Sequence, residues 1–258
     1  MPYITFNEQK LFYAHQPAAT NAPALVLVHG AGGSHLDWPA ELRRLPETAV
    51  YALDLPGHGR SAPPGYSNIN DYAKGVLLFL ETLHLQNVFL VGHSMGGAIA
   101  QAFALSHPQQ LRGLVLVATG ARLRVHPDIL QQVEKDPARV GALLVEWVHG
   151  QRATPEQKRQ YLRHFLAVPP AVLAGDWQAC NAFDSMARLG EIRLPALVIG
   201  GTQDQMTPLK YAAFLCEQLP DADLTTIEGG GHMLMIEQPG LVIGAISGFL
   251  ARLMIDDQ

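Results

Sequence analysis

Cysteine is scarce. Two residues, Cys180 and Cys216, in a chain of 258 give no disulfide framework, and their wide spacing leaves no close cysteine pair of the kind a zinc knuckle needs. Charge is sparse as well. The formal net charge is −5 and the 18 lysines and arginines are scattered rather than run together, so the chain carries no electrostatic footprint for nucleic acid or an anionic membrane. No apolar run approaches the length of a membrane span, and Met1 to Lys10 has no basic stretch leading into an apolar one; neither an anchor nor a leader is expected. Repeats and low-complexity segments are absent too. These absences predict a soluble, reduced, cytoplasmic protein whose partners are small molecules.

What the chain does have is apolar residues, 48% of the total, enough to bury one large core or a core domain carrying an inserted subdomain. Tyr3 to Phe6 and Leu11 to Tyr13 flank a polar Asn7-Glu8-Gln9 break and read as an antiparallel hairpin. Short, nearly continuous apolar runs follow at Ala24 to Val28, Ala49 to Leu53, Val88 to Val91, Leu114 to Val117, Ala196 to Ile199 and, more weakly, Leu224 to Ile227. Such runs suit strands buried on both faces of a parallel sheet. Helically spaced segments lie between them, among them Tyr72, Val76, Leu80 and Leu83, so the pattern predicts a doubly wound α/β sheet. A last helix is expected from Pro239 to about Leu253.

One interval breaks the rhythm. From Ala121 to about Gly190 there is helical pattern and no strand-like run, which reads as a helical insertion (121–190) between two halves of a core (1–120 and 191–258). Further crossover helices of the same layer are the alternative, although a crossover needs far fewer residues. Within the interval Thr154-Pro155-Glu156-Gln157 has the form of a capping box, with the threonine accepting from a backbone N–H and the glutamine reaching back.

The chemistry-bearing motifs sit where strand-like runs end. Gly92-His93-Ser94-Met95-Gly96-Gly97 follows Val88 to Val91 and opens an alanine-rich helix, the context of a serine held on a sharp strand-to-helix turn. Strained angles at such a serine require side-chain-free neighbours two residues before and after, and Gly92 and Gly96 meet that need. The Met95 N–H at the helix start would donate to a developing oxyanion. His29-Gly30-Ala31-Gly32-Gly33-Ser34 follows the Ala24 to Val28 run. If Ser94 attacks a carbonyl, the Ala31 amide is the second donor. This loop has neither the lysine ending nor the glycine spacing of a phosphate cradle, and His29 is expected to hold it by hydrogen bonds.

A serine hydroxyl needs a base, and imidazole suits neutral pH. Of eleven histidines, His232, in Glu228-Gly229-Gly230-Gly231-His232, lies at a strand's carboxyl end, where ligands collect in open α/β sheets. His58, in the Asp54 to Ser61 loop, reads as part of a structural turn, and His93 should point away from its neighbour Ser94. Asp204 ends Gly200-Gly201-Thr202-Gln203-Asp204, again after a strand, and is the candidate to orient His232; a plain turn-forming role is the other reading. Chain order favours the first, since serine, aspartate and histidine follow successive strands, and the position after Leu114 to Val117 offers no carboxylate. Thr207-Pro208 reads as the capped start of the next helix.

Taken together, the hairpin, the glycine-rich loop, the Asp54 to Ser61 loop, the elbow, the helical interval, Asp204 and His232 resemble the α/β-hydrolase family over nearly the whole chain. The resemblance implies an eight-stranded, mostly parallel sheet with residues 121–190 as a cap over Ser94. It further implies a Ser94–Asp204–His232 triad, an oxyanion hole of Ala31 and Met95, and no metal or other cofactor. Hydrolysis of small carboxylic esters through an acyl-enzyme is the implied reaction. Relatives that open epoxides or remove halide carry aspartate at the elbow. Those that cleave carbon–carbon bonds often place arginine just after the acid, where this chain has Gln205-Met206. Perhydrolase-like and haloperoxidase-like relatives share the constellation, and some receptors of the fold keep the triad while holding a small ligand. Trp38, Met206 and Met233 follow strand ends and are expected to line the site. The cap's Trp147, Trp177, Phe165 and Phe183 read first as helix-packing residues.

Overall fold

The apolar runs become strands. The computed structural model describes residues 2–6, 9–19 and 22–255. Its strands are β1 (Tyr3–Phe6), β2 (Gln9–Gln16), β3 (Ala24–Val28), β4 (Ala49–Leu53), β5 (Val88–His93), β6 (Leu111–Val117), β7 (Ala196–Gly201) and β8 (Ala222–Ile227). They form one eight-stranded sheet in the order β1-β2-β4-β3-β5-β6-β7-β8. The hairpin pairs Tyr3 with Phe12 and Phe6 with Gln9; Asn7 and Glu8, read as its break, lie outside the described residues. β2 also runs antiparallel to β4, and every later pairing is parallel.

Helices cover both faces because successive strand residues point to opposite sides. They are α1 (Ala40–Arg43), α2 (Ile69–Thr82), α3 (Met95–Ser106), α4 (Pro127–Gln132), α5 (Pro137–Val148), α6 (Pro155–Ala167), α7 (Pro170–Ala182), α8 (Leu209–Gln218), α9 (Leu234–Glu237) and α10 (Pro239–Ile255). Val26, Val28, Leu90, Leu114, Leu116 and Val198 pack with residues of α2, α3 and α8 in one cluster. Their neighbours Leu25, Leu27, Phe89, Val91, Val115, Val117, Leu197 and Ile199 pack with α1 and α10 in another. The doubly wound arrangement follows directly.

Residues 121–190 hold α4 to α7 and all but the last residue of a 3-10 segment, Met186–Glu191. Among the described residues, pairing of strand type in this interval is confined to one isolated bridge, Arg122 to Asp184. The capping box is present: Thr154 Oγ1 accepts from the Gln157 N–H at 3.2 Å and Gln157 Oε1 accepts from the Thr154 N–H at 2.7 Å. These helices share the main core. Val140, Leu144, Phe165, Leu173 and Trp177 belong to the α1/α10 cluster, whereas Ala179, Cys180 and Phe183 belong to the other. Helix α7 therefore feeds both clusters.

Two local expectations need correction. Helix α8 begins at Leu209 with Pro208 at its N-cap and no side-chain cap, because the Thr207 hydroxyl is spent on Asp204 at 2.8 Å. Trp38 is fully buried with its ring 6.4 Å from that of His93; it packs in the core and is not a site wall. Among the described residues no helix is long and apolar enough to cross a membrane.

Candidate active site

Ser94 occupies the one-residue turn between β5 and α3 with φ 51° and ψ −115°, a left-handed conformation that a non-glycine residue holds only when its surroundings impose it. The surroundings are specific. Its N–H donates to the Val117 carbonyl at 3.0 Å, and its carbonyl accepts from the Thr119 hydroxyl at 2.7 Å. A methyl group on Gly92 would overlap the Gly96 carbonyl, and one on Gly96 would overlap the Val28 carbonyl. The glycines that the motif demanded are thus required by close backbone approach on both sides of the serine.

The Gly30 to Gly33 loop leaves β3, the strand adjacent to β5. It is a turn closed by the Gly33 N–H donating to the Gly30 carbonyl at 3.2 Å, with Gly32 at φ 65°, the conformation that favours glycine at a turn's third position. His29 steadies it as expected. Its Nε2 accepts from the Leu55 N–H at 3.0 Å, which makes Nδ1 the donor to the Gly30 carbonyl at 2.7 Å. Burial, with the nearby His58 charge adding to it, lowers the pKa of His29 to about 4, so it stays neutral. Among the described residues neither the Ala31 nor the Met95 N–H has a protein acceptor. Met95 is the first residue of α3, where helix geometry leaves donors unspent.

Asp204 and His232 come together from the ends of β7 and β8. His232 Nδ1 lies 2.9 Å from Asp204 Oδ2, with both residues buried. The carboxylate is otherwise saturated: Oδ1 accepts the Met206 and Thr207 N–H groups at 2.8 Å each, and Oδ2 also accepts the Thr207 hydroxyl. Burial alone would raise the Asp204 pKa, but the His232 charge, its hydrogen bond and the Thr207 donors outweigh that and hold the carboxyl below its ordinary range. Such an aspartate fixes the imidazole tautomer with the proton on Nδ1 and leaves Nε2 as the basic nitrogen.

Ser94 and His232 border one small cavity together with Ala31, His93, Trp177, Met206 and Met233. Ser94 also borders a larger one of about 460 Å³, walled by Leu123, Val125, Ile129, Trp147, Trp177 and Met206. Met206 and Met233 line the site as expected, and Trp147 and Trp177 do so in addition to packing. Phe165 and Phe183 remain core residues.

Three contributors escaped the sequence. His93 borders the same small cavity as Ser94, and its Nε2–H donates to the His232 carbonyl at 3.0 Å and so fixes the His232 backbone; burial and the His232 charge lower its pKa to about 3. Thr207 braces the Asp204 carboxylate, for which its place three residues after Asp204 was the available signal. Asp37, also on the small cavity, is pushed up to about 7 by burial, against the Ser34 N–H that it accepts.

A strained serine on an elbow, an oriented imidazole and two unspent amides at one sheet edge define a class of protein. The chain belongs to the alpha/beta hydrolase fold family, whose model matches residues 23–239. It is 31% identical over 234 residues to the pimeloyl-acyl-carrier protein methyl ester esterase of Yersinia enterocolitica, across 83% of this chain and 88% of that one. It is 30% identical to a putative carbamate hydrolase, RutD, of Caulobacter segnis, across 83% and 86%. Among solved structures it is similar to a thermophilic esterase, with 31% identity, a TM-score of 0.85 and 97% coverage of each chain. Family and relatives alike make this chain a hydrolase.

Proposed function

We propose that the chain hydrolyses carboxylic esters of small molecules through an acyl-enzyme on Ser94. The observation that carries the reading is the convergence of the Ser94 elbow, the Asp204-oriented His232 and the Ala31 loop on one cavity. In this mechanism Ser94 Oγ bonds to the ester carbonyl carbon while His232 Nε2 takes the hydroxyl proton. The carbonyl π electrons move to oxygen, and the Ala31 and Met95 N–H groups stabilise the resulting oxyanion. Collapse breaks the ester C–O bond, and His232 returns the proton to the departing alcohol. Water then repeats the sequence against the acyl-enzyme, releasing the acid and restoring Ser94. Asp204 stays ionised throughout and balances the imidazolium.

Helices α4 to α7 act in this reading as a cap, with Trp147 and Trp177 walling the larger cavity. Its volume of about 460 Å³ and mostly apolar walls, edged by Arg124, His126 and Gln205, suit a medium-length or branched chain on the ester. A carbamate carbonyl would be attacked in the same way, and the 30% likeness to RutD makes carbamates the second substrate class to try.

The test is hydrolysis of a chain-length series of p-nitrophenyl esters by the wild-type protein and by Ser94→Ala. The expected result is turnover that falls at least a thousandfold in the variant, as for other serine triads. Wild-type inactivity on every ester would overturn the reading in favour of carbon–carbon cleavage or a ligand-holding receptor.

A further inference from the structure

Away from Ser94, a dense set of buried polar contacts converges on one side chain. Asp176, on α7, is fully buried. Its Oδ2 accepts from the Gly32 N–H at 2.8 Å and from His58 Nε2 at 2.7 Å, and its Oδ1 accepts from the Tyr72 hydroxyl at 2.6 Å. His58 Nδ1 lies 3.0 Å from the Pro56 carbonyl, so both ring nitrogens donate and the ring is an imidazolium. The result is a buried ion pair with every partner satisfied, the arrangement in which such a pair is tolerated. Hydrogen bonds to a carboxylate are stronger than neutral ones, which makes Asp176 a firm anchor for whatever it holds.

What it holds is the middle of the Gly30 to Gly33 turn. The Gly32 N–H belongs to the peptide that joins Ala31 to Gly32, so its direction sets the tilt of that plane and of the Ala31 residue before it. α6 and α7 press on the same glycine: a Cβ there would lie 2.9 Å from Leu173 Cδ2 and 3.0 Å from Phe165 Cδ2. The loop is therefore clamped by hydrogen bond and by packing from helices outside the sheet. Oxyanion donors work only when preorganised, and misplacement by about an ångström can cost a hundredfold in rate.

We propose that Asp176 is a positioning residue for the oxyanion hole: by holding the Gly32 N–H it aims the Ala31 N–H at the substrate oxygen, and it couples catalysis to the seating of α7. The inference rests on the ester-hydrolase reading above. It assigns the helices over the site a part in transition-state stabilisation as well as in walling the cavity.

The experiment compares wild type, Asp176→Ala and Asp176→Asn on p-nitrophenyl butyrate, with thermal unfolding recorded for each and with inhibition by an alkyl trifluoromethyl ketone, whose adduct with Ser94 carries an oxyanion. Asp176→Ala is expected to lower kcat roughly ten- to a hundredfold, to change KM by less than about threefold, and to weaken the ketone in proportion to kcat. Asp176→Asn keeps the shape with a weaker, uncharged acceptor and is expected to fall between the two. Ile246→Ala, in α10 and remote from the loop, controls for stability: its Tm should fall while kcat and ketone affinity hold. If Asp176→Ala does not fold, Asp176→Asn decides. A folded Asp176→Asn with wild-type kcat and ketone affinity overturns the proposal, as does a kcat loss that the ketone does not follow. Wild type without Ser94-dependent turnover overturns the ester-hydrolase reading itself, whereas Ser94-dependent turnover that stays at the wild-type kcat in the folded Asp176 variants overturns this proposal alone.

Discussion

Buried imidazoles can be kept neutral or charged, and this chain does both, with consequences for stability that can be worked out group by group. His29 and His93, lowered to about 4 and about 3 mainly by burial, refuse protons when folded that the unfolded chain accepts below its ordinary 6.5. Each therefore costs stability as pH falls from 6.5 toward 4. Asp37 acts in the opposite sense: folded, it keeps a proton to about pH 7, whereas unfolded it gives the proton up near 3.8, so it costs stability as pH rises through that window. Two protons against one leaves a net uptake of one on unfolding, worth about 1.4 kcal/mol per pH unit, and His149, also lowered by burial, adds to the same side. His58 governs the alkaline limb. Burial alone would lower its pKa, but Asp176 more than reverses this, so its contribution is full below 6.5 and is lost as pH rises through the folded value. Urea unfolding between pH 4.5 and 8.5 should accordingly show maximal stability near pH 6.5. His58→Gln should flatten the alkaline limb while leaving the acid limb in place; a wild-type profile that does not fall above pH 7 would remove the imidazolium assignment.

At the scale of elements, the turn between β5 and α3 is the least forgiving. Gly92→Ala would push a methyl group into the Gly96 carbonyl, and neither backbone can yield without moving Ser94. We expect loss of ester turnover together with a Tm drop of many degrees, because overlap with backbone has no rotamer escape. Thr154→Ala is a milder change: it removes the hydroxyl that accepts the Gln157 N–H at the start of α6, and should cost about 1 kcal/mol in chemical denaturation with kcat unaltered. The same contrast explains what could be read beforehand. β3 and β4 begin and end where their apolar runs do, since a strand buried on both faces writes itself as an uninterrupted run. β8, paired on one side only, is half exposed along its length, and its apolar signal is correspondingly short. The places of Ser94, Asp204 and His232, the residues proposed to act, were legible because each follows a strand in a glycine-rich turn. Thr207 was misread because a hydroxyl ahead of a helix serves equally well as a cap or as a brace for a nearby carboxylate. Asp176 left no trace at all: its partners lie 104 to 144 residues away, and no local pattern distinguishes a buried helical aspartate from an exposed one.

For the whole molecule the question is whether residues 121–190 unfold with the sheet or apart from it. The helices α5, α6 and α7 have no core of their own; their buried side chains complete the two clusters on the sheet. Hydrogen bonds reinforce the junction at the carboxyl edge of the sheet. The Met233 N–H donates to the Val148 carbonyl at 3.0 Å, the Gly150 N–H to Glu237 at 3.0 Å, and the Gln151 N–H to Gln203 at 2.8 Å. The end of α5 is thereby stitched to the loops carrying both His232 and Asp204. Removing these helices would expose apolar surface on both clusters and orphan the Gly32 N–H, so separate melting would carry a large cost and cooperative unfolding is expected. The tryptophans make this measurable. The chain has three, two of them, Trp147 and Trp177, in the interval, so a Trp38→Phe variant reports by fluorescence on residues 121–190 while far-UV circular dichroism reports on every helix and strand. In urea the two signals should trace one transition with the same midpoint. An earlier fluorescence midpoint would mean that α4 to α7 detach first, and ester turnover should then disappear along the fluorescence curve, because Asp176 leaves the Ala31 turn when α7 does.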